Sequence, residues 1–90
     1  ENDKTVWCGN LHKLVSEEII YELMLQAGPI DTVKLITNKD PSNSNYAFIK
    51  FQHRISVAFA KMLFNGLSLY NNPIKVQSRY NSKTRSSNLS

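Results

Sequence analysis

Ser44-Asn45-Tyr46-Ala47-Phe48-Ile49-Lys50-Phe51 is the stretch on which the fold turns. Its residues alternate as a strand requires, sending Ala47, Ile49 and Phe51 to one side and Tyr46, Phe48 and Lys50 to the other. The Ala-Ile-Phe set suits a core beneath helices. The other set puts two aromatic rings and an ammonium on a face that the core does not need. Neighbouring rings left in water are unfavourable unless something covers them. The octapeptide therefore predicts a sheet with one packed face and one face kept for a ligand.

Working outward, residues 38–45 are loop chemistry throughout, Asn-Lys-Asp-Pro-Ser-Asn-Ser-Asn. Residues 31–37 alternate as a second strand, with Val33 and Leu35 inward and Lys34 and Ile36 outward. Before them Ser16 caps a helix expected to run to Ala27, with Glu17 and Glu18 where the helix dipole favours anions. Gly28-Pro29 stops it. Residues 5–8 read as the first strand, Val6 and Cys8 inward and Trp7 outward. Downstream, residues 54–64 form a second helix closed by Asn65-Gly66. Asn71-Asn72-Pro73 then turns the chain into a last strand, residues 74–79. There Ile74 and Val76 point inward and Lys75, Gln77 and Arg79 outward. The order βαββαβ predicts an α+β, ferredoxin-like domain, a four-stranded antiparallel sheet with both helices on one face. It occupies residues 5–79, between loose polar tails at 1–4 and 80–90.

Ninety residues make one domain, and a hydrophobic share of 41% is enough for one core. A single cysteine, Cys8, permits no internal disulfide, and His12, His53 and Cys8 form no metal-ligand spacing, so neither metal nor cofactor is expected. Without an apolar run of membrane length or a secretion signal, the chain reads as intracellular, in cytosol or nucleus. The net charge of +4 leans only mildly toward an anionic partner. Its distribution says more. Lys34, Lys50, Lys75 and Arg79 fall on the open face with no acid among them, whereas Glu17, Glu18 and Glu22 lie on the first helix. Lys83 and Arg85 follow in the tail. An enzyme on this frame would need an anion cradle with a positioned arginine and a water-activating group. Arg54, Arg79 and Arg85 sit in no glycine-rich loop, so no catalytic residue is assigned.

Val6-Trp7-Cys8-Gly9-Asn10-Leu11 resembles the RNP2 hexamer of the RNA recognition motif family, and residues 44–51 resemble its RNP1 octamer. What the resemblance implies is single-stranded RNA binding on the open face. Trp7, Tyr46 and Phe48 correspond to base-stacking positions and Asn10 to a loop position near the RNA. Ile36, Lys34, Lys50, Lys75, Gln77 and Arg79 complete the expected RNA surface. Two departures from the family pattern matter; the lost basic residue, with Lys39 and Asp40 nearly cancelling in the preceding loop, sets the expected affinity at a modest, micromolar level. Ser44 stands where the family usually has a basic residue, and Asn45 where it has glycine; asparagine tolerates the left-handed backbone that glycine would supply.

The helices carry a second pattern. Ile20, Leu23, Met24 and Ala27 form the core stripe of the first, and Val57, Ala60 and Phe64 that of the second. Tyr21 and Leu25 fall outside the first stripe. Ile55, Phe59, Met62 and Leu63 fall roughly opposite the second, so a covering protein is expected there. The stretches Gln26-Ala27-Gly28-Pro29-Ile30, Phe51-Gln52-His53 and Asn65-Gly66-Leu67-Ser68-Leu69-Tyr70, with Pro73-Ile74-Lys75, are similar to a nuclear branch of the same family that serves RNA decay. That resemblance implies uridine-rich nuclear RNA as ligand and an adaptor role for the exosome. It also implies that a proline-rich segment of a zinc-knuckle scaffold protein docks on the helical side. A spliceosomal branch-site subunit is similar too, and a purely protein-binding version, with a peptide over the aromatics, is the rival within the fold.

Overall fold

A computed structural model describes residues 2–79. The expectations for residues 80–90, Lys83 and Arg85 among them, lie outside the described residues. The chain runs β1 (Thr5–Leu11), α1 (Glu17–Met24), β2 (Ile30–Ile36), β3 (Asn45–Phe51), α2 (Ile55–Phe64), β4 (Ser68–Leu69), β5 (Asn72–Pro73) and β6 (Lys75–Ser78). Strands β2, β3, β1 and β6 form one antiparallel sheet in that order, and β4 and β5 a separate small hairpin. The α+β, ferredoxin-like arrangement read from the sequence is the one observed.

Alternation decides what the sheet buries. Val6, Cys8, Ala47, Ile49, Phe51 and Val76 lie on the helix-covered face, and Ile20, Met24, Ala60 and Phe64 come down onto them from the helices. Strand β3 is the most regular case, each core residue fully buried and each residue between them half-exposed. No helix among the described residues is long and apolar enough to cross a membrane.

Several local details differ from expectation. Ser16 does cap α1, its hydroxyl accepting from the Ile19 amide at 3.2 Å. The helix, however, tightens after Met24 into a 3-10 turn, Leu25–Ala27, before Gly28. Asn2–Lys4, expected as part of a loose tail, form a 3-10 turn whose Asp3 reaches Arg54 at 3.6 Å. The β4–β5 hairpin was not foreseen. It closes through Tyr70 and Asn71, both at positive φ (52° and 67°), as a two-residue turn between twisted strands requires.

Gly28 brings the turn after α1 against α2. Its φ of 147° is open only to glycine, and a methyl group there would run into the buried Ser56 hydroxyl of α2. Gly28→Ala is expected to cost about 1–3 kcal/mol, read as a lower urea midpoint with unchanged slope. An unaltered midpoint would mean that the contact with Ser56 carries no stability.

Candidate nucleic-acid interface

The pairing of β1 with its two neighbours sets out the open face as a grid. Trp7 lies opposite Phe48 on one side and Gln77 on the other, and Phe48 lies opposite Lys34. Lys34, Phe48, Trp7 and Gln77 thus form a single row across all four strands. Tyr46 and Ile36 pair in the adjoining row toward one end, where Lys75 sits opposite Gly9. Lys50 lies toward the other end between Thr5 and Thr32. Arg79 follows there, its amide bonded to the Thr5 carbonyl at 3.0 Å.

The three rings pack as one half-exposed unit. Trp7 and Tyr46 have centroids 6.2 Å apart and tilted planes, and Tyr46 meets Phe48 edge-on at 5.8 Å. The Arg79 guanidinium carbon lies 4.4 Å above the Phe48 ring centroid, a cation–π contact. Gly9 makes the Trp7 pose possible: a β-carbon at Gly9 would collide with the six-membered ring of the indole, which lies down along its own strand. The extreme packing of an aromatic over a glycine is something the motif spacing alone does not reveal.

The expectation of an acid-free cationic face is corrected by Asp31, whose carboxylate approaches the Lys50 ammonium at 3.7 Å. By simple alternation Asp31 would share the inward side with Val33 and Leu35. A register shift between Ile30 and Thr32 breaks that alternation and releases it toward Lys50. Lys34, Lys75 and Arg79 remain exposed cations.

Asn45 is also corrected. It is not left-handed; it is a buried strand residue whose Oδ1 accepts the Asn38 amide at 2.8 Å, closing the β2–β3 loop. The asparagine at positive φ is Asn10 (φ 60°), where β1 shifts register. Its Nδ2 donates to the Pro73 carbonyl at 2.8 Å and its Oδ1 accepts the Ser44 hydroxyl at 3.1 Å. Asn10 ties the end of β1 to both the loop before β3 and the β5 hairpin. A cleft of about 320 Å³ opens there, lined by Trp7, Tyr46, Lys75 and the polar side chains of Asn10, Asn38, Asn43, Ser44 and Asn45. Sequence reading took Asn38 and Asn43 for loop residues only, and Ser44 for the place of a missing basic residue; nothing in their spacing says that the loop folds back on the sheet.

The remaining reactive groups are structural. Burial pushes the Cys8 thiol up to about 12, so it stays protonated and inert. His12 accepts the Leu14 amide on Nδ1 at 3.0 Å and stacks near Tyr70. Among the described residues no three His, Cys, Asp or Glu side chains gather as a metal site. On the helical side Tyr21, Leu25, Ile55, Phe59, Met62 and Leu63 are all exposed, from 42% for Tyr21 to 72% for Met62.

A four-stranded sheet bearing an aromatic row and flanked by cations, with helices on its other face, defines an RNA-recognition module. The family model for the RNA recognition motif matches residues 6–75, and the chain belongs to that family. It is 46% identical to human (Homo sapiens) RNA-binding protein 7 over 79 residues, 88% of this chain and 30% of that protein. It is 48% identical to the mouse (Mus musculus) splicing regulator RBM11 over 86 residues, 96% of this chain and 36% of that one. The chain therefore spans about a third of the length of these relatives. The solved RRM of Rna15 with bound RNA (GU) superposes with a TM-score of 0.70 at 25% identity, covering 97% of this chain and 98% of that one.

Trp7 is the only tryptophan, so its pose has a clean reporter. Gly9→Ala is expected to lift the indole and shift its emission and ring-proton resonances while the core signals of Cys8 and Ala47 hold. Unmoved ring resonances would show that the indole does not lie on Gly9.

Proposed function

We propose that the domain binds single-stranded RNA on the open sheet face, with modest affinity and a preference for uridine-rich sequence. The observation that carries this is the transverse row Lys34, Phe48, Trp7, Gln77 with Tyr46 beside it. Trp7 and Phe48 stack successive bases, each stack contributing about 1–3 kcal/mol, and Tyr46 packs on a ribose or a third base. Lys34, Lys75 and Arg79 meet phosphates, with Lys50 sharing its charge with Asp31. A base reaching Phe48 displaces the Arg79 guanidinium, because 4.4 Å leaves no room for a base between them. The displaced cation is then free to pair with phosphate, which offsets the lost cation–π contact.

The six exposed apolar residues of α1, the following turn and α2 support a second face that docks a proline-rich segment of a scaffold protein. With both faces occupied, the domain acts as a nuclear adaptor that brings RNA to a processing machine, decay by the exosome being the reading that the sequence resemblance favours. The likeness to a splicing regulator makes splicing the competing destination. A purely protein-binding sheet is the second reading, supported by Ser44 in place of a base and by the partial neutralisation of Lys50.

An NMR titration with a uridine-rich oligonucleotide and, separately, a proline-rich peptide tests both faces. RNA shifts at Trp7, Tyr46 and Phe48 with peptide shifts near Tyr21 and Phe59 fit the proposal. Peptide shifts on the sheet without any RNA response favour the second reading. Phe48→Ala is expected to weaken RNA binding by at least about 1 kcal/mol in a domain that remains folded; an unchanged affinity rejects the platform. Phe59→Glu should abolish peptide binding and leave RNA affinity within about two-fold. Loss of both together would place the two ligands on one surface.

A further inference from the structure

The cleft beyond Trp7 has a donor–acceptor balance that follows from the hydrogen bonds already made around it. Four asparagine carboxamides line it, and the oxygens of three are engaged. Asn10 Oδ1 accepts the Ser44 hydroxyl, Asn45 Oδ1 accepts the Asn38 amide, and Asn38 Oδ1 accepts the Asp40 amide at 3.4 Å. These three amide orientations are fixed by chemistry, since a backbone N–H needs an oxygen and the Pro73 carbonyl needs an N–H. The groups left over are mainly donors. Asn45 Nδ2 makes no hydrogen bond among the described residues and is not sealed from solvent. Asn10 Nδ2 has a second N–H beyond the one given to Pro73, and the Lys75 ammonium has no ion pair among the described residues. The fixed acceptor among them is Ser44 Oγ, whose proton is committed to Asn10 and whose lone pairs remain open, while the exposed Asn43 carboxamide offers a donor and an acceptor alike. Its hydroxyl cannot turn to donate without breaking the bond that ties the loop to β1.

We propose that this cleft reads the edge of the base adjoining Trp7 and selects a lactam edge, a carbonyl beside a ring N–H, over an amino edge beside a bare ring nitrogen. Uracil and guanine carry the first arrangement, cytosine and adenine the second. The surplus donors meet the carbonyl and Ser44 Oγ accepts from the ring N–H. An amino base would set donor against donor and leave its ring lone pair facing an acceptor, both buried at the stacked site. Asn10 is a positioning residue here: it holds Ser44 in the accepting state and itself need not touch the base. This inference rests on the sheet being an RNA platform and adds the residues and the chemistry of selection.

The test compares pentauridylate with pentacytidylate, which differ in little besides this edge, by fluorescence anisotropy on the same domain. The wild type is expected to favour pentauridylate by about ten-fold, and methylation of the uracil N3 should remove the preference. Pentauridylates with guanine or adenine at the centre should separate in the same sense, guanine the tighter. Ser44→Ala should bring pentauridylate down toward pentacytidylate while pentacytidylate affinity stays within about two-fold. Asn10→Gly should do the same, because glycine accepts the φ of 60° while the tie to Ser44 and Pro73 is lost together with the spare Nδ2 donor. Equal affinity of the two pyrimidine pentamers for the wild type, with Phe48→Ala weakening both, would overturn selection by the cleft and leave the platform standing. Failure of every pentamer to bind would overturn the RNA reading and this inference with it.

Discussion

The antiparallel pairing of β1 with β3 is the constraint on which the rest of this domain depends. Val6 opposite Ile49 and Cys8 opposite Ala47 place small and branched side chains under the helices, while Trp7 opposite Phe48 is forced to the other side. A slip of one residue in that register would exchange the two sets, burying rings where the helices leave no space and exposing the core. The hydrophobic demand of one face therefore fixes the chemistry of the other. The aromatic platform exists because Ala47, Ile49 and Phe51 have to be buried.

Polar bonds then refine what packing has positioned. The register shift in β1 frees Asn10 from regular pairing, and its carboxamide uses that freedom to join Ser44 and Pro73, residues far from it in the chain. Asn45 does the equivalent for the β2–β3 loop and Asn65 for the approach to β6, where its Oδ1 accepts the Val76 amide at 2.9 Å. Asparagine suits these places because one side chain offers both a donor and an acceptor at fixed separation. On the outer edge of β2, the Glu17 carboxylate accepts the Leu35 amide at 2.9 Å, occupying a donor that an exposed edge strand would otherwise offer to another chain. The acid at the start of α1 thus serves the sheet as well as the helix dipole.

The open face is less cationic and less open than a count of its lysines implies. Asp31 draws on Lys50, and Arg79 lies over Phe48. Both contacts are made in the unliganded domain. Each is exposed enough to be exchanged for a phosphate at small cost. Affinity on such a surface comes chiefly from stacking, and selectivity from whatever reads base edges at its margin.

The βαββαβ frame, though not the small hairpin within it, the inward and outward sets of β3, the Ser16 cap and the Trp7, Tyr46 and Phe48 trio were all legible in the amino-acid sequence. Each follows from a periodicity or a local propensity that acts along the chain within a few residues. The exposure of Tyr21, Leu25, Phe59 and Leu63 was legible on the same grounds, as departures from a helical stripe. Only the tertiary structure decided that Asp31 reaches Lys50, that Asn10 rather than Asn45 is left-handed, and that the indole of Trp7 lies on Gly9. It also decided that a polar cleft forms where Ser44 meets Asn10. These depend on which residues stand opposite one another across the sheet and on where its register shifts. No local pattern encodes such a shift, because it is settled by the fit of two strands brought together from distant parts of the chain.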